Sequence, residues 1–258
     1  MQNSDVLNIE NLLGAFTAID LAGLDKVALL DRVDTKYTFK RSQLPEFLEK
    51  LKQDYFVLDV DKHRMFHYTS LYFDTCNFML YNLHSSGRMN RYKIRLRNYI
   101  ESGISFFEIK FKNNKGRTLK SRVRIDGEVL SDEQSVTLLR DQTPFSFDQL
   151  EAKMWINYVR ITLVSKDFRE RLTIDLDLTF KKGTEEKTID NLVIAELKQS
   201  KTGVSAFGKL MKDSHIRSGS ISKYCFGVVS MFDTIKKNNF KEQIIHINKM
   251  LHATPARY

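Results

Sequence analysis

Cysteine is scarce in this chain of 258 residues, and its scarcity excludes two ways of stabilising a fold. The only two thiols, Cys76 and Cys225, are too few for a disulfide framework. No CxxC pair and no cysteine–histidine spacing typical of structural zinc is present. We therefore expect a reducing, cytoplasmic setting.

Long apolar runs are missing as well. No run approaches the ~20 residues that a membrane-spanning helix needs, and the first ten residues are too polar and acidic for a signal peptide. We expect no transmembrane segment, so a location at the inner face of a membrane would depend on a membrane-protein partner.

The common nucleotide-binding and hydrolase signatures are also absent. The chain has no Walker A motif, no GxGxxG and no Ser-His-Asp arrangement. Its six histidines are scattered, and we interpret them as structural or surface residues.

Positive charge is what the chain has in excess. The formal net charge is +9, while 42% of the residues are hydrophobic and 18 are phenylalanine. This composition predicts a folded protein with an anionic partner. Nucleic acid, a phosphate compound and an acidic membrane surface would all satisfy the charge.

The charge is concentrated between Tyr92 and Arg124, where three short runs alternate with the period of two that is typical of half-buried strands. Short turns join the runs, which predicts an antiparallel meander. One face would carry eight cations and one carboxylate. These are Lys93, Arg95 and Arg97, then Glu108, Lys110 and Lys112, then Lys120, Arg122 and Arg124.

The rest of the chain reads as further strands with peripheral helices, which together predict one α+β domain of about nine strands. Helices are expected over 1–30, 42–52, 76–85, 131–139, 147–157, 205–212, 223–238 and 241–251. Strands are expected over 32–39 and 192–198, with hairpins formed by 55–60 and 66–74 and by 158–164 and 169–178.

Cations recur on the polar faces of these other strands too, at Lys36, Arg160, Arg171 and Lys198. A solvated outer face is the simple interpretation of any one strand. However, like charges opposite one another destabilise a sheet, so the whole set favours an enclosed anion of high charge density. Lysine and arginine both suit phosphate oxygens.

The few carboxylates on these faces allow two interpretations. Asp34, Glu108, Asp175 and Glu196 would either pair with neighbouring cations or, in one or two cases, hold a divalent metal that bridges phosphate oxygens. Phosphoryl transfer needs this combination of positioning and neutralised charge.

A nucleic-acid-binding sheet is the main rival. Such sheets place aromatic side chains among the cations of the binding face. Here Tyr92, Phe107 and Phe111 fall on the opposite face, so no nucleic-acid partner is expected.

Eight motifs, in this order, resemble the VTC domain, a polyphosphate polymerase domain of the triphosphate tunnel metalloenzyme superfamily. They are RVDTKY (32–37), SLYFDT (70–75), RYKIRLRNY (91–99), FFEIKFK with KGRTLKSR (106–122), NYVR (157–160), RLTIDLDL (171–178), AELK (195–198) and SKY (222–224). The resemblance covers about residues 28–235 of a single domain over 1–258, with a helical segment over 1–27 and a tail over 239–258.

The resemblance implies an antiparallel eight-stranded β-barrel with peripheral helices, whose charged interior forms a triphosphate tunnel. It also implies transfer of the ATP γ-phosphate onto a growing inorganic polyphosphate chain, with Mn²⁺ or Mg²⁺ and release of ADP. By motif, the catalytic and phosphate-binding residues would be Lys36, Arg95, Arg97, Lys110, Lys120, Arg160 and Lys223. Tyr158 would support the phosphate or nucleotide site, Glu196 would bind the metal, and Arg122, Lys198 and Glu108 are further members of the implied site. Lys93, Lys112 and Arg124, at the ends of their runs, would reach only the tunnel mouth.

The sequence departs from the wider superfamily at one motif. Tunnel phosphatases carry an ExExK strand, and its place is taken here by Arg32, Asp34 and Lys36. Fewer acidic ligands favour the polymerase over a tunnel-type triphosphatase. A non-catalytic module that binds polyphosphate or inositol polyphosphate is the other alternative. The chain lacks the further domains of the eukaryotic complex, so coupling to transport would need another protein.

Overall fold

Eleven strands in one sheet and eight α-helices make up the part of the chain that the structure describes. This structure is a computed structural model, and it describes residues 3–25, 32–126, 132–200 and 205–252. The strands are β1 (Thr17–Ile19), β2 (Arg32–Lys40), β3 (Tyr55–Leu58), β4 (Phe66–Asp74), β5 (Arg91–Tyr99), β6 (Ile104–Lys112), β7 (Thr118–Ile125), β8 (Glu151–Ser165), β9 (Glu170–Lys182), β10 (Glu185–Ile189) and β11 (Leu192–Ser200). The helices are α1 (Asn3–Gly14), α2 (Leu21–Asp25), α3 (Leu44–Leu51), α4 (Met79–Ser85), α5 (Glu133–Gln142), α6 (Ala206–Asp213), α7 (Lys223–Met231) and α8 (Lys241–His252).

The main path of the sheet has eight strands in the order β2-β11-β9-β8-β4-β5-β6-β7. These pairs are antiparallel, β3 and β10 add to β8 and β9, and β1 joins β3 in parallel. Within the described residues, β2 and β7 do not pair. The expected closed eight-stranded barrel is therefore wrong, although the mainly antiparallel sheet with helices is confirmed.

The segment 219–222, rather than β7, lies along the free edge of β2. The amide of Gly219 donates to the carbonyl of Lys36 over 2.9 Å, in an isolated antiparallel bridge. Gln243 of α8 donates to the carbonyl of Ser220. Part of the hydrogen-bonding capacity of the β2 edge is therefore used by the chain that leads into α7.

Alternation along the strands separates two faces. The outer face packs against α1, α3 and α6 through residues such as Phe39, Leu163 and Leu197. On the meander, the outer residues Ile94, Phe107 and Ile109 form a second cluster with Leu139 of α5. We call the opposite face, which carries Arg95 and Arg97, the inner face.

Helix α7 packs on this inner face. Its buried side chains meet Met154, Ile156 and Phe180. A Cβ on Gly227 would lie 2.7 Å from Met154 Sδ and 2.8 Å from Phe180 Cδ1. Only glycine allows this approach, so α7 lies against the strands and covers the inner face at the end where β4 stops at Asp74.

Several expected elements are wrong in type. Residues 147–157 were expected to be helical, but the chain makes a 3-10 turn over Phe147–Gln149 and then enters the 15-residue strand β8. Pairing with β4 and β9 on both sides decides its conformation. The expected 55–60/66–74 hairpin is also wrong, because β3 pairs with β1 and β8.

Element boundaries differ at other positions. A 3-10 turn over Arg41–Gln43 precedes α3, so Ser42 does not cap that helix. Helix α7 ends at Met231, seven residues before the expected end. The expected helix over 1–30 is α1, a short strand and α2, and residues 26–31 lie outside the described residues. The helix expected over 241–251 is confirmed.

Candidate functional site

The inner face encloses a cavity of about 140 Å³ beside the N-terminus of α7. Side chains from β2, β4, β5, β6, β8 and β11 reach it, so the sheet curves around this space. Its lining side chains are Lys36, Tyr72, Lys93, Arg95, Arg97, Lys110, Tyr158, Arg160, Ile194, Glu196, Lys198, Ile221, Ser222, Lys223 and Tyr224. Eight of these are cationic and Glu196 is the one carboxylate among them.

The meander supplies half of these cations. Lys93, Arg95 and Arg97 project from alternate positions of β5, and Lys110 faces Lys93 directly across the β5–β6 pair. Only 8% of Arg95 and 6% of Arg97 is exposed. The predicted alternation is therefore present, and its cationic face points inward.

Glu108 neutralises part of the meander. Its fully buried carboxylate accepts from Arg95 Nε over 2.7 Å and from Arg95 Nη2 over 2.5 Å, and it also pairs with Lys120. Burial alone would raise the pKa of Glu108, but the fields of Arg95, Arg97 and Lys120 hold it well below its ordinary value. Glu108 therefore stays ionised and positions Arg95.

Asp175 has the same role on the opposite wall. It accepts a two-point contact from Arg160, at 2.6 and 2.8 Å, and pairs with Lys223 of α7. Burial opposes its ionisation, but Arg160 and Lys223 keep its pKa well below the ordinary value. This carboxylate fixes two cavity cations from different elements.

Two of the cavity cations, the buried Arg97 and the half-buried Lys110, have no acidic partner among the described residues. Arg97 donates to Ser70 Oγ over 3.1 Å and to the Tyr158 hydroxyl over 2.7 Å, but it forms no ion pair there. Lys110 makes neither a hydrogen bond nor an ion pair within the described chain. The charge of Arg95, and then burial, lower the pKa of Lys110 well below its ordinary value. An unpaired buried cation is costly, and a bound anion would remove that cost.

The N-terminus of α7 and the 219–222 segment form one end of the cavity. Lys36 Nζ donates to the Ile221 carbonyl over 3.1 Å, and Lys93 Nζ donates to Ser222 Oγ over 3.1 Å. Ser222 caps the helix by accepting from the Cys225 amide. The positive end of the helix dipole therefore adds to the field of the lysines.

Tyrosines hold α7 against β4. The rings of Tyr72 and Tyr224 stack with centroids 5.1 Å apart, and the Tyr224 hydroxyl donates to Asp74 over 2.6 Å. Burial would raise the pKa of Tyr72, but the neighbouring Arg95, Arg97 and Lys93 lower it to about 8. Sequence reasoning overlooked both tyrosines, although SLYFDT and SKY contain them.

Glu196 is the carboxylate that fits a divalent metal best. Its nearest cation is Lys198, with Nζ 3.6 Å from Oε1, and 22% of its side chain is exposed. Burial opposes ionisation, but Lys36, Lys198, Arg160 and Lys223 lower its pKa to about 2. No group of three or more acidic, histidine or cysteine side chains suited to a metal occurs among the described residues. A metal there would complete its coordination with ligand oxygens and water.

The expected site residues divide into two groups. The structure brings together nine of them on the cavity: Lys36, Arg95, Arg97, Lys110, Tyr158, Arg160, Glu196, Lys198 and Lys223. Lys120 lies behind Glu108 with 38% of its side chain exposed, and Arg122 is exposed on the edge strand β7. Lys93 was expected at a tunnel mouth with Lys112 and Arg124, but it lies in the cavity wall beside α7.

The curved, mainly antiparallel sheet around a cationic cavity is a fold that this chain shares with solved structures. The fold is similar to that of a candidate adenylate cyclase from Bacillus halodurans, with a TM-score of 0.50 and 14% identity, over 79% of this chain and 98% of that one. It is also similar to a candidate adenylyl cyclase from Hippeastrum described as having a dominant triphosphatase activity, with a TM-score of 0.50 and 13% identity, over 78% and 98% of the two chains.

The family follows from the sequence. The model of the VTC domain matches residues 31–232, and the chain belongs to this family, as its motifs predicted. No curated protein matches the chain. No helix among the described residues combines the length and the apolar character needed to cross a membrane.

Proposed function

We propose that this protein is a metal-dependent polyphosphate polymerase that transfers the γ-phosphate of ATP onto an inorganic polyphosphate chain. The observation that carries the proposal is the excess of cations that line the cavity. Eight cations line it, and the carboxylates that contact them among the described residues include Glu108, Asp175 and Glu196. A polyanion would neutralise this excess.

The reaction needs little from the protein besides position and charge. A terminal oxygen of the polyphosphate chain forms a bond to the γ-phosphorus, the bond from that phosphorus to ADP breaks, and ADP leaves. Arg95 and Arg160 are held rigidly by carboxylates, so they would bind phosphate oxygens without reorganisation. Arg97 and Lys110 form no ion pair with an acidic residue in the described chain. They would therefore bind the same phosphate oxygens without first breaking one.

Mn²⁺ or Mg²⁺ would be held by Glu196. Such an ion would supply positive charge against the charge that develops on the phosphate oxygens during transfer. Lys36 and Lys198 flank this carboxylate on the cavity wall and would face the same phosphates. ATP and polyphosphate are thus the proposed partners. A cytoplasmic location, near a membrane only through a membrane-protein partner, is part of the same proposal.

The product of an ATP incubation tests the proposal. Purified protein with ATP and Mn²⁺ should release ADP and form chains that an exopolyphosphatase degrades. A tunnel-type triphosphatase would release inorganic phosphate and form no chains. The similarity of fold to the Hippeastrum protein makes this the second candidate function. A non-catalytic polyphosphate-binding module would bind the anion and release nothing.

The metal assignment has its own test. Glu196→Gln should abolish chain synthesis and leave binding of tripolyphosphate, measured without metal, unchanged or tighter, because one negative charge is lost from the cavity. Glu10→Gln, on the exposed surface of α1, is the matched control. Full activity of Glu196→Gln would show that this carboxylate does not hold the metal.

A further inference from the structure

Three neighbouring strands each place an aromatic ring on the inner face, beyond the cations and away from α7. Tyr68 of β4 lies 4.9 Å from Tyr99 of β5, and Tyr99 lies 5.9 Å from Phe106 of β6, measured between ring centroids. All three side chains are half-buried. We call Tyr68, Tyr99 and Phe106 the aromatic cluster.

The order of residues along each strand sets the position of the aromatic cluster. On β5, Lys93 bonds the N-terminus of α7, Arg95 and Arg97 follow, and Tyr99 comes last. On β4, Tyr72 stacks on α7 and Tyr68 lies four residues earlier. The cationic cavity thus lies between α7 at one end and the aromatic cluster at the other.

The aromatic cluster is in direct contact with the cavity cations. Phe106 pairs with Arg97 across the β5–β6 ladder. The guanidinium carbons of Arg97 and Arg160 lie 5.2 and 5.1 Å from the centre of the Tyr68 ring. A ligand with an anionic end in the cavity would therefore place its other end beside these rings.

Arg122 completes this end. Its guanidinium carbon lies 4.3 Å above the Phe106 ring, and the residue is exposed on β7. Arg122 has no ion-pair partner among the described residues. A planar, exposed guanidinium over an aromatic ring is a surface on which a further flat group stacks readily.

We propose that the aromatic cluster and Arg122 form the stacking site for the nucleobase of a nucleoside triphosphate whose phosphates enter the cationic cavity. This inference rests on the proposed function, because it takes a nucleotide as the phosphate donor. The site offers three half-buried rings and the exposed guanidinium of Arg122. Stacking of this kind tolerates different bases, so ATP and GTP should bind alike. Purines stack more strongly than pyrimidines because their rings are larger, so purine nucleotides should bind more tightly.

The contribution of the base is measured by comparing ATP with tripolyphosphate, which shares the phosphates and lacks the nucleoside. Both are titrated calorimetrically in EDTA, so that no turnover occurs. In the wild type, the nucleoside should add to the affinity that the phosphates alone provide. Phe106→Leu and Tyr99→Leu should each weaken ATP binding by about tenfold and leave tripolyphosphate binding within twofold.

Phe111→Leu is the matched control, because Phe111 lies on the same strand as Phe106 and faces the other side, where it stacks on Tyr92. It should change neither affinity, and melting temperatures establish that all variants fold. Arg122→Ala gives a second measurement that leaves the rings in place, and it should weaken ATP binding more than tripolyphosphate binding. Equal loss of both ligands, or of neither, in all three test variants overturns the stacking site.

The two proposals fail separately. If ATP binding depends on the aromatic cluster but no chains form, the stacking site stands and the polymerase is wrong. If chains form while the variants bind ATP normally, the polymerase stands and the stacking site is wrong.

Discussion

The hydroxyl of Tyr224 donates to Asp74 over 2.6 Å, and this bond connects the helix that carries Lys223 to the end of β4. Asp74 is fully buried and also accepts from the amides of Thr75, Leu80 and Tyr81. Burial raises its pKa above the ordinary value, although all of these bonds oppose the rise. One carboxylate therefore holds α4 and α7 together beside the cavity.

Removal of that hydroxyl should affect both stability and the cavity. We expect Tyr224→Phe to lower the free energy of unfolding by about 1 kcal/mol and to weaken tripolyphosphate binding, because α7 carries Lys223 and Ser222. Tyr81→Phe also removes a single hydrogen bond, to the Lys236 carbonyl, and should cost similar stability without a change in affinity. Equal affinities for both variants would show that the bond does not position α7.

Glu108 should be essential to the fold rather than to binding. Glu108→Gln leaves Arg95 buried without a carboxylate, and we expect a loss of about 3–5 kcal/mol in urea unfolding. Saturating tripolyphosphate should recover more stability in this variant than in the wild type, since the anion then neutralises Arg95. Glu151→Gln breaks a pair whose carboxylate is 57% exposed and should cost at most about 1 kcal/mol. A small loss for Glu108→Gln would contradict its role as a buried counter-charge.

Lys110 should behave in the opposite way. It has no partner to lose among the described residues, so Lys110→Met should leave stability unchanged or raise it while weakening tripolyphosphate binding by about tenfold or more. Lys187→Met, on the exposed face of β10, should change neither quantity. Thermal melts and calorimetric titrations measure the two effects. A destabilised Lys110→Met variant would indicate a structural partner for this lysine.

Anion binding should take up protons at alkaline pH. Burial, and then the charges of Lys36 and Arg95, lower the pKa of Lys93 to about 8, so part of this lysine is neutral at about pH 8.5 without ligand. A bound polyanion restores its proton. Titration in two buffers of different ionisation enthalpy gives the number of protons taken up, and Lys93→Met should reduce it. The absence of any buffer dependence would be inconsistent with a depressed pKa.

The same lysine gives a stability prediction of definite sign. Above a pH of about 8, the unfolded chain holds a proton at residue 93 that the folded protein has released. The ligand-free protein should therefore become more stable as the pH rises from about 8 towards the ordinary lysine pKa. Lys93→Met should remove this part of the rise. Urea unfolding at several pH values measures it.

The meander was predictable from sequence because charged residues alternate with isoleucine, leucine and phenylalanine over 93–97 of β5 and 107–112 of β6. Such a pattern predicts which side chains share a face, but it does not say whether the cationic face points to solvent or inward. The same alternation put Lys120 and Arg122 on the inner face, but it does not reveal that β7 is an edge strand. An edge strand has one neighbour, so its side chains remain open to solvent.

Features that depend on distant pairing were not predictable. The open side between β2 and β7 follows from where the 219–222 segment lies, nearly 190 residues after β2 begins. Lys93 was placed at a mouth by its position near the start of β5, but α7 covers that end of the inner face. The strand around Trp155 resembles a helix locally, and pairing on both sides determines it.

The irregularity of β9 at Asp177 has a consequence for how this chain tolerates change. Asp177 has a φ of 54°, and the β8–β9 register shifts beside it. Leu172, Ile174 and Leu176 pack on the outer face, while Leu178 and Phe180 pack under α7 on the inner face. The extra residue in β9 reverses the alternation, so that both sets of side chains are buried. Loss of residue 177 by deletion would exchange the faces of the strand beyond it and turn Phe180 away from Gly227. In a related sequence that lacks a residue at this position, α7 should therefore pack differently on the sheet.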